Sequence, residues 1–317
     1  MRLPPRRIRA GFFPLLMRLP PRRIRAGFFL PFLLPLLPFA LAAQDTADSG
    51  PQIERVAHGF QFTQGPAWSR DGYLLFSDIP SSTIMKVKPG ETGEVYRAAS
   101  GGASGNAFDE QGRLYTCETH ARRVTRTDKK GRIEVLAERW DSKRLNAPSG
   151  IAVSKSGHVY FTDPAFGSQQ DTRELDFYGV YHITPKGQLS LIARPAGRPN
   201  GIALSPNGRV LYVANADERN IRAYDVDHDG AASGERVLVA HLDTIPDGMH
   251  TGKDGNLYVA AKGIEVFSPE GKLLQTIPVG ETSSNCVFGD ADLETLYITA
   301  RTSVYRIRLS GGLADAR

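Results

Sequence analysis

Six polar residues recur along this chain, each directly before a short run of small apolar residues. They are Gln64, Ser104, Ser149, Asn200, Asp247 and Asn285. Oxygen atoms of this kind suit a hard cation, because Ca²⁺ takes six to eight oxygen ligands and Mg²⁺ and Mn²⁺ also prefer oxygen. Zn²⁺ is less well served by such a set. The alternative is that these side chains line a channel and hold ordered water.

The six polar residues belong to a repeat, with successive spacings of 40, 45, 51, 47 and 38 residues. Eight residues after each lies a turn position: Gly72, Gly112, Gly157, Gly208, Gly255 and Leu293. An apolar strand pattern follows each turn, as in YLLFSD and HVYFTD. Repeats of this length bury their sheets only by stacking on one another, and periods in the forties are typical of four-stranded blades. The sequence therefore predicts an all-β, six-bladed β-propeller.

The sixth repeat is one strand short, since the strand patterns end with SVYRIRL. A segment beginning at Ile53 precedes the first inner strand and has no other partner. We expect this N-terminal strand to complete the last blade and so to remove an open sheet edge. The predicted organisation is a leader over 1–42, a linker over 43–52, the propeller over 53–309 and a C-terminal tail over 310–317.

The leader has the pattern of a secretory signal peptide. Arginines precede an apolar run, and residues 40–42 match an A-x-A cleavage site. MRLPPRRIRAGFF occurs at Met1 and again at Met17, so either translation begins at Met17 or the leader is duplicated. The run is short and interrupted by prolines, which predicts cleavage near Ala42-Ala43 rather than a retained membrane span.

Removing the leader changes the charge of the chain. The leader holds eight arginines and no acidic residue, so the formal net charge of +5 falls to −3 for the mature protein. The basic balance therefore gives no case for a nucleic-acid-binding surface. We expect a periplasmic or secreted monomer, and Arg22-Arg23 leaves both Sec and twin-arginine export open.

Two cysteines, Cys117 and Cys286, occur in a chain whose expected location permits disulfides. They fall in the second and sixth repeats, which are not neighbours in a ring of six. A disulfide requires Cα atoms within about 7 Å of each other. We therefore expect two buried, unpaired thiols.

A second group of polar residues follows the second strand of each repeat, at the same end of the predicted ring. They are Asp78, Glu118, His120, Asp163, Asn215, Asp217, Lys262 and Arg301. His120 is the only histidine of this group, and a histidine side chain suits proton transfer. Arg144 and Asn146 precede the third repeat and would bind sugar hydroxyls or a carboxylate. A solvated surface loop is the alternative for these three residues, and the connection over 164–177 is long enough to form a lid.

Several long motifs resemble one family of proteins. They are TQGPAW, the LYTCETHARRVTR run, RLNAPSGIAV, VYFTDPAFG, RPNGIALSPNG, IPDGM and SSNCVFGDADLETLYITARTSVYRI. These motifs are similar to those of the SMP-30/gluconolactonase/LRE-like propellers over essentially the whole mature chain. The resemblance implies a six-bladed propeller that hydrolyses sugar lactones with a divalent cation in its central channel.

The resemblance also implies roles for individual residues. Metal ligands are expected at Gln64, Ser149, Asn200 and Asp247, with Ca²⁺ favoured and Mg²⁺, Mn²⁺ or Zn²⁺ as alternatives. The family usually has Glu at the position of Gln64 and Asn at that of Ser149. Asp247 is also the expected general base, and His120 is the second predicted catalytic residue.

The sequence thus predicts a lactone hydrolase in which water attacks a carbonyl polarised by a cation. Ser104, Asn285, Arg144 and Asn146 are the predicted contacts of a lactone or sugar-acid substrate. A non-catalytic ligand-binding propeller with a weakened or lost metal site is the alternative, because lower ligand charge weakens cation affinity. The G-x-S-x-G, H-E-x-x-H and P-loop motifs do not occur in the sequence, which gives no support to a serine hydrolase, zinc protease or nucleotide enzyme.

Overall fold

The computed structural model describes residues 52–91 and 93–309. The predicted leader and tail, and all of the linker except its last residue, lie outside this part of the chain. Six four-stranded antiparallel sheets account for about half of the described residues, which confirms the predicted all-β propeller. None of the helical segments described is long and apolar enough to cross a membrane.

Each blade is a sheet whose strands follow one another from the channel outwards. Blade one consists of Thr63–Ser69, Tyr73–Asp78, Thr83–Val87 and Glu94–Arg97. Blade two consists of Ala103–Phe108, Leu114–Glu118, Arg123–Thr127 and Ile133–Ala137. Blade three consists of Ile151–Val153, Val159–Asp163, Gly179–Ile183 and Leu189–Ala193. A short hairpin of Arg139–Trp140 and Lys143–Arg144 precedes blade three, and a 3₁₀ helix over Gly167–Thr172 lies within it.

The second half of the ring repeats the same order. Blade four consists of Pro199–Leu204, Val210–Asn215, Asn220–Val226 and Ala232–Val239. Blade five consists of Met249–Thr251, Leu257–Ala260, Ile264–Phe267 and Leu273–Ile277. Blade six consists of Ser283–Gly289, Thr295–Ala300, Ser303–Arg308 and, as its outer strand, Glu54–His58.

The outer strand of blade six comes from the start of the propeller, as predicted. Glu54–His58 runs antiparallel to Ser303–Arg308, with Ala57 opposite Val304. Glu54 also forms a salt bridge of 2.8 Å with Arg306. This pairing joins the two ends of the domain and leaves blade six with the same number of strands as the others.

The turn after each inner strand adopts the conformation that its residue type predicts. Gly72, Gly112, Gly157, Gly208 and Gly255 have positive φ angles between 69° and 86°. Leu293 takes the equivalent position in blade six with φ of 55°, a region that bulky residues rarely adopt. The six turns therefore share one geometry even where glycine is replaced.

Apolar side chains fill the spaces between neighbouring blades. Between blades six and one, Leu74 and Phe76 pack with Tyr297 and Val304. Trp68 stacks on Tyr297 with ring centroids 5.1 Å apart. The two cysteines belong to such packing layers and are buried and unpaired, as expected.

A glycine follows five of the six polar residues, and each glycine lies against the next blade. A Cβ atom on any of them would overlap the polar residue that begins the neighbouring inner strand. The pairs are Gly65 with Ser104, Gly105 with Ser149, Gly150 with Asn200, Gly201 with Asp247 and Gly248 with Asn285. In the first four pairs the overlap is with a backbone carbonyl oxygen, which cannot swing aside. The inner strands therefore approach each other too closely for any other residue type.

A pair of buried histidines lies within blade three. His158 Nδ1 and His182 Nε2 are 2.8 Å apart, so one ring donates a hydrogen bond to the other. His182 also stacks on Tyr160. Burial, together with the charge of His158, lowers the pKa of His182 to about 4. Burial also lowers the pKa of His158. The pair is therefore uncharged in the folded protein at neutral pH.

Replacing Gly150 by alanine is expected to destabilise the protein by about 2 to 3 kcal/mol, because the added methyl group would force blades three and four apart. Urea unfolding followed by fluorescence would measure this change. Gly93→Ala is the matched control, because its nearest neighbour is a side-chain carbon of Val87 at 3.1 Å. Equal stability losses in the two variants would show that the close approach does not matter.

The histidine pair predicts an acid-dependent loss of stability. A neutral His182 stabilises the fold fully above the unfolded pKa of about 6.5, and this contribution falls as pH drops towards 4. Between pH 7 and pH 4.5 the wild type is expected to lose about 2 kcal/mol more unfolding free energy than His182→Gln. Urea titrations at both pH values would measure the difference. His228→Gln, at an exposed histidine, should match the wild type; a wild type that matches His182→Gln would contradict the prediction.

Candidate functional site

The six polar residues that begin the inner strands, here called the polar ring, meet at one level of the central channel. Five of them form a continuous chain of hydrogen bonds across the blades. Ser104 Oγ lies 3.4 Å from Ser149 Oγ, and Ser149 Oγ donates to Asn200 Oδ1 at 3.3 Å. Asn200 Nδ2 donates to Asp247 Oδ1 at 2.8 Å. Gln64 Nε2 donates to the same oxygen at 3.0 Å.

Asp247 carries the negative charge of the polar ring. Its Oδ1 accepts from the two amides, whereas none of the described residues donates a hydrogen bond to Oδ2. Burial raises the pKa of Asp247 to about 7, although the hydrogen bonds from Asn200 and Gln64 act in the opposite direction. A carboxyl group with this pKa is well matched to taking up a proton near neutral pH.

A cavity of about 720 Å³ runs along the channel, from the polar ring towards the turns that follow the inner strands. Its walls include the aromatic side chains of Trp68, Phe108 and Phe288. Charged residues, among them Arg70 and Lys155, line the end near the turns. This volume lies in the range of small-molecule binding pockets, and it combines apolar walls with a few convergent polar groups.

All six members of the polar ring line this cavity, including Ser104 and Asn285, which were predicted as substrate contacts. Asn285 Oδ1 accepts a hydrogen bond from Cys286 N at 2.8 Å. Among the described residues, no acceptor engages the Asn285 Nδ2 group. Asn285 therefore presents a free amide donor at the same level as Asp247.

The other predicted site residues lie outside this cavity. His120 is exposed, and its ring covers Gly102 in the loop that precedes blade two. Arg144 is half-buried and uses Nη2 to donate to Ala121 O at 3.1 Å. The roles of His120 as a catalytic residue and Arg144 as a substrate contact stay predictions.

Asn146 is fully buried and tethers both ends of the connection over 164–177. Its Nδ2 donates to Asp163 O at 3.1 Å and to Phe177 O at 2.9 Å. Its Oδ1 is buried without a hydrogen-bond partner among the described residues. Asn146 thus positions the connection that we predicted as a lid, and its role as a substrate contact stays a prediction.

The second group of polar residues, which follows the second strand of each blade, includes four side chains that hold loops in place. Asp78 accepts hydrogen bonds from the backbone N–H groups of residues 61 and 62. Glu118 is buried and pairs with two arginines. Asn215 accepts from two backbone N–H groups of the turn that follows it. Asp163 accepts from the N–H groups of residues 146 and 147, and burial raises its pKa to about 7. The hydrogen bonds and ion pairs of these four side chains stabilise the loops around them.

The chain is similar to known proteins over most of its length. Residues 62–302 match the model of the SMP-30/Gluconolactonase/LRE-like region. The chain belongs to this family. The gluconolactonase of Zymomonas mobilis subsp. mobilis is 34% identical over 293 residues, which cover 82% of each chain. The match confirms the resemblance seen in the motifs.

Solved structures agree with this assignment. A gluconolactonase from Xanthomonas campestris superposes with a TM-score of 0.76 at 32% identity, over 81% of this chain and 89% of that chain. A calcium-binding regucalcin from Agrobacterium tumefaciens superposes with a TM-score of 0.68 at 16% identity, over 78% of this chain and 90% of that chain. The second likeness shows only that the fold is shared.

The polar ring does not fit a divalent cation with its side chains oriented as they are in this structure. Gln64 and Asn200 turn their amide nitrogens, not their oxygens, towards Asp247. The Gln64 Oε1 atom accepts from Gly65 N at 2.7 Å instead. The described residues also include no cluster of three or more His, Cys, Asp or Glu side chains suited to a metal ion. The ring offers a cation one carboxylate, and that carboxylate is already hydrogen-bonded.

The structure adds residues that the motif comparison overlooked. Asn106 Nδ2 donates to Gly65 O at 2.9 Å and to Ser77 Oγ at 2.8 Å, which braces blade two against blade one. Ser284 O accepts from Gln64 Nε2 at 3.2 Å and so fixes that side chain from blade six. The sequence signal for Asn106 is only its place two residues after Ser104, because a β-bulge between Ala103 and Asn106 interrupts the alternation of side chains in this strand.

Proposed function

We propose that this chain is a lactone hydrolase of the gluconolactonase type that acts on sugar lactones. The observation that carries the proposal is the Asp247 carboxylate, which is held by two amides and faces a channel cavity with one oxygen free. Family membership and the gluconolactonase relatives support the choice of substrate class.

Asp247 acts as the general base in the proposed reaction. Its Oδ2 takes a proton from a water molecule, and the water oxygen forms a bond to the lactone carbonyl carbon. The ring C–O bond then breaks as the ring oxygen takes that proton back from Asp247 Oδ2, so the ring oxygen leaves as the hydroxyl group of the hydroxy-acid product and Asp247 is ionised again. Base catalysis of this kind typically contributes a factor of about 10² to 10⁴ in rate.

The neighbouring polar groups bind and orient the substrate. Asn285 Nδ2 lines the same cavity and donates a hydrogen bond to a carbonyl or hydroxyl oxygen of the lactone, whereas Ser104 Oγ accepts one from a lactone hydroxyl group. Donors placed where negative charge develops stabilise the oxyanion of the tetrahedral intermediate. The apolar walls near Trp68 and Phe288 exclude water from the remaining faces of the sugar ring.

Metal assistance was predicted from the resemblance, with Ca²⁺ favoured. The orientation of the Gln64 and Asn200 amides argues against it, and the proposed reaction includes no step that requires a cation. His120, which lies outside the cavity, likewise has no part in the proposed reaction.

A second candidate function is a non-catalytic sugar-acid-binding propeller. It is favoured by the Asn285 Nδ2 group, a free donor beside the cavity that would hydrogen-bond a sugar-acid oxygen without any chemical step. Calorimetry would then detect binding of an aldonate while the corresponding lactone is not hydrolysed. Turnover of any aldonolactone faster than its spontaneous hydrolysis would exclude this alternative.

Replacing Asp247 by asparagine is expected to lower kcat for aldonolactone hydrolysis by 100-fold or more, because the base is removed while the hydrogen-bonding shape is kept. Proton release at pH 7 would measure the rate, and circular dichroism would confirm the fold. Asp243→Asn is the matched control, an exposed carboxylate in the same loop. A kcat for Asp247→Asn within tenfold of the wild type would rule out the general-base role.

We also propose export to the periplasm or the medium, on the basis of the leader pattern. N-terminal sequencing of the protein recovered from the periplasmic fraction is expected to begin near Ala43. Recovery from the cytoplasm with an N-terminus at Met1 or Met17 would contradict export.

A further inference from the structure

The amide of Gln64 has one orientation that satisfies all of its neighbours. Nε2 lies within hydrogen-bond distance of two acceptors, Asp247 Oδ1 at 3.0 Å and Ser284 O at 3.2 Å. Oε1 lies 2.7 Å from the N–H of Gly65. Rotating the amide by 180° would oppose oxygen to two oxygens and N–H to N–H, so all three hydrogen bonds would be lost.

The amide of Asn200 is fixed by the same reasoning. Its Nδ2 donates to Asp247 Oδ1 at 2.8 Å, and its Oδ1 accepts from Ser149 Oγ at 3.3 Å. Turning it over would place a carbonyl oxygen against the carboxylate. The N–H groups of Gln64 and Asn200 therefore both donate to the same oxygen, Asp247 Oδ1, from the two sides of Asp247.

We propose that the amides of Gln64 and Asn200 take the place of a divalent cation at Asp247, so that the site works without a metal. Their N–H groups supply the positive electrostatic partner that a half-buried carboxylate requires. Both are positioning residues, since they hold Asp247 Oδ1 and leave Oδ2 to face the cavity. That the amides replace a cation at Asp247 does not depend on the proposed function. That lactone hydrolysis proceeds without a metal rests on the proposed function.

Gln64 is the residue that decides whether Asp247 is held by two amides or by a cation. A glutamate in the same conformation would lose both donated hydrogen bonds and would bring a second carboxylate to about 3 Å from Asp247. Two carboxylates at this distance cannot both stay ionised unless a proton or a cation lies between them. A single amide group in place of a carboxylate therefore removes both the need for a cation and half of the charge that would attract one.

Gln64→Glu tests the proposal directly. Isothermal titration with Ca²⁺ and with Mn²⁺ would be run on mature wild type, Gln64→Glu and Gln188→Glu after treatment with a chelator. Gln188 is exposed in a turn of blade three, so its variant matches the charge change away from the site. We expect no saturable binding up to about 1 mM cation in wild type and in Gln188→Glu. Gln64→Glu is expected to bind the cation with a Kd below about 1 mM, which is the upper end of the range for weak calcium sites.

Thermal unfolding gives an independent readout. The unfolding temperature of Gln64→Glu is expected to fall in chelator and to rise by about 5 °C with a cation at a hundred times its Kd. The unfolding temperatures of wild type and Gln188→Glu should not respond. Asn200→Asp places a carboxylate at the other donor position and should gain cation binding in the same way, which keeps the test available if Gln64→Glu does not fold.

Two results would overturn the proposal. One is saturable binding of Ca²⁺ or Mn²⁺ by the wild type with a Kd below about 1 mM, the upper end of the range for weak calcium sites. The other is behaviour of Gln64→Glu and Asn200→Asp that is indistinguishable from Gln188→Glu. Because cation binding is measured without substrate, a wild type that fails to hydrolyse lactones would contradict the proposed function and leave this inference standing.

Discussion

The close approach of neighbouring inner strands at the channel is the constraint on which this structure depends. In five of the six blades a glycine follows the polar residue, and in four of these the glycine admits the backbone carbonyl oxygen of the next polar residue. Backbone groups then bond directly from blade to blade, as from Gly105 N to Ser149 O at 2.9 Å. Short side chains such as Ser149 and Asn200 reach each other only because the backbones that carry them are this close.

That closeness also sets the chemistry of the site. A half-buried carboxylate in such a crowded place needs donors, and the ring supplies them from the amides of blades one and four. Burial still prevails over these donors, so the pKa of Asp247 lies near neutrality. The polar ring thus combines a group that can exchange a proton with a fixed orientation, and it does so from residues spread over the whole domain.

The sequence alone was sufficient for the number of blades, their order and the closing strand, because these follow from repeat spacing and from a missing strand in the last repeat. It also placed Asn200 and Asp247 together. It did not reveal which way the amides point, since the orientation of Gln64 depends on Ser284 O, more than two hundred residues away. The role of Asp78 in holding a loop was also not visible, because a one-dimensional pattern does not show the backbone N–H groups from which its carboxylate accepts hydrogen bonds.

The pairing of Glu54–His58 with Ser303–Arg308 has a consequence for how the chain reaches its folded form. A chain synthesised from its N-terminus makes the outer strand of the last blade first and that strand's partner last. Contacts between such distant segments carry a large loop-closure entropy and slow folding. Until the final strand emerges, blade six has an open edge, and during that interval the nascent domain is most exposed to pairing with other chains.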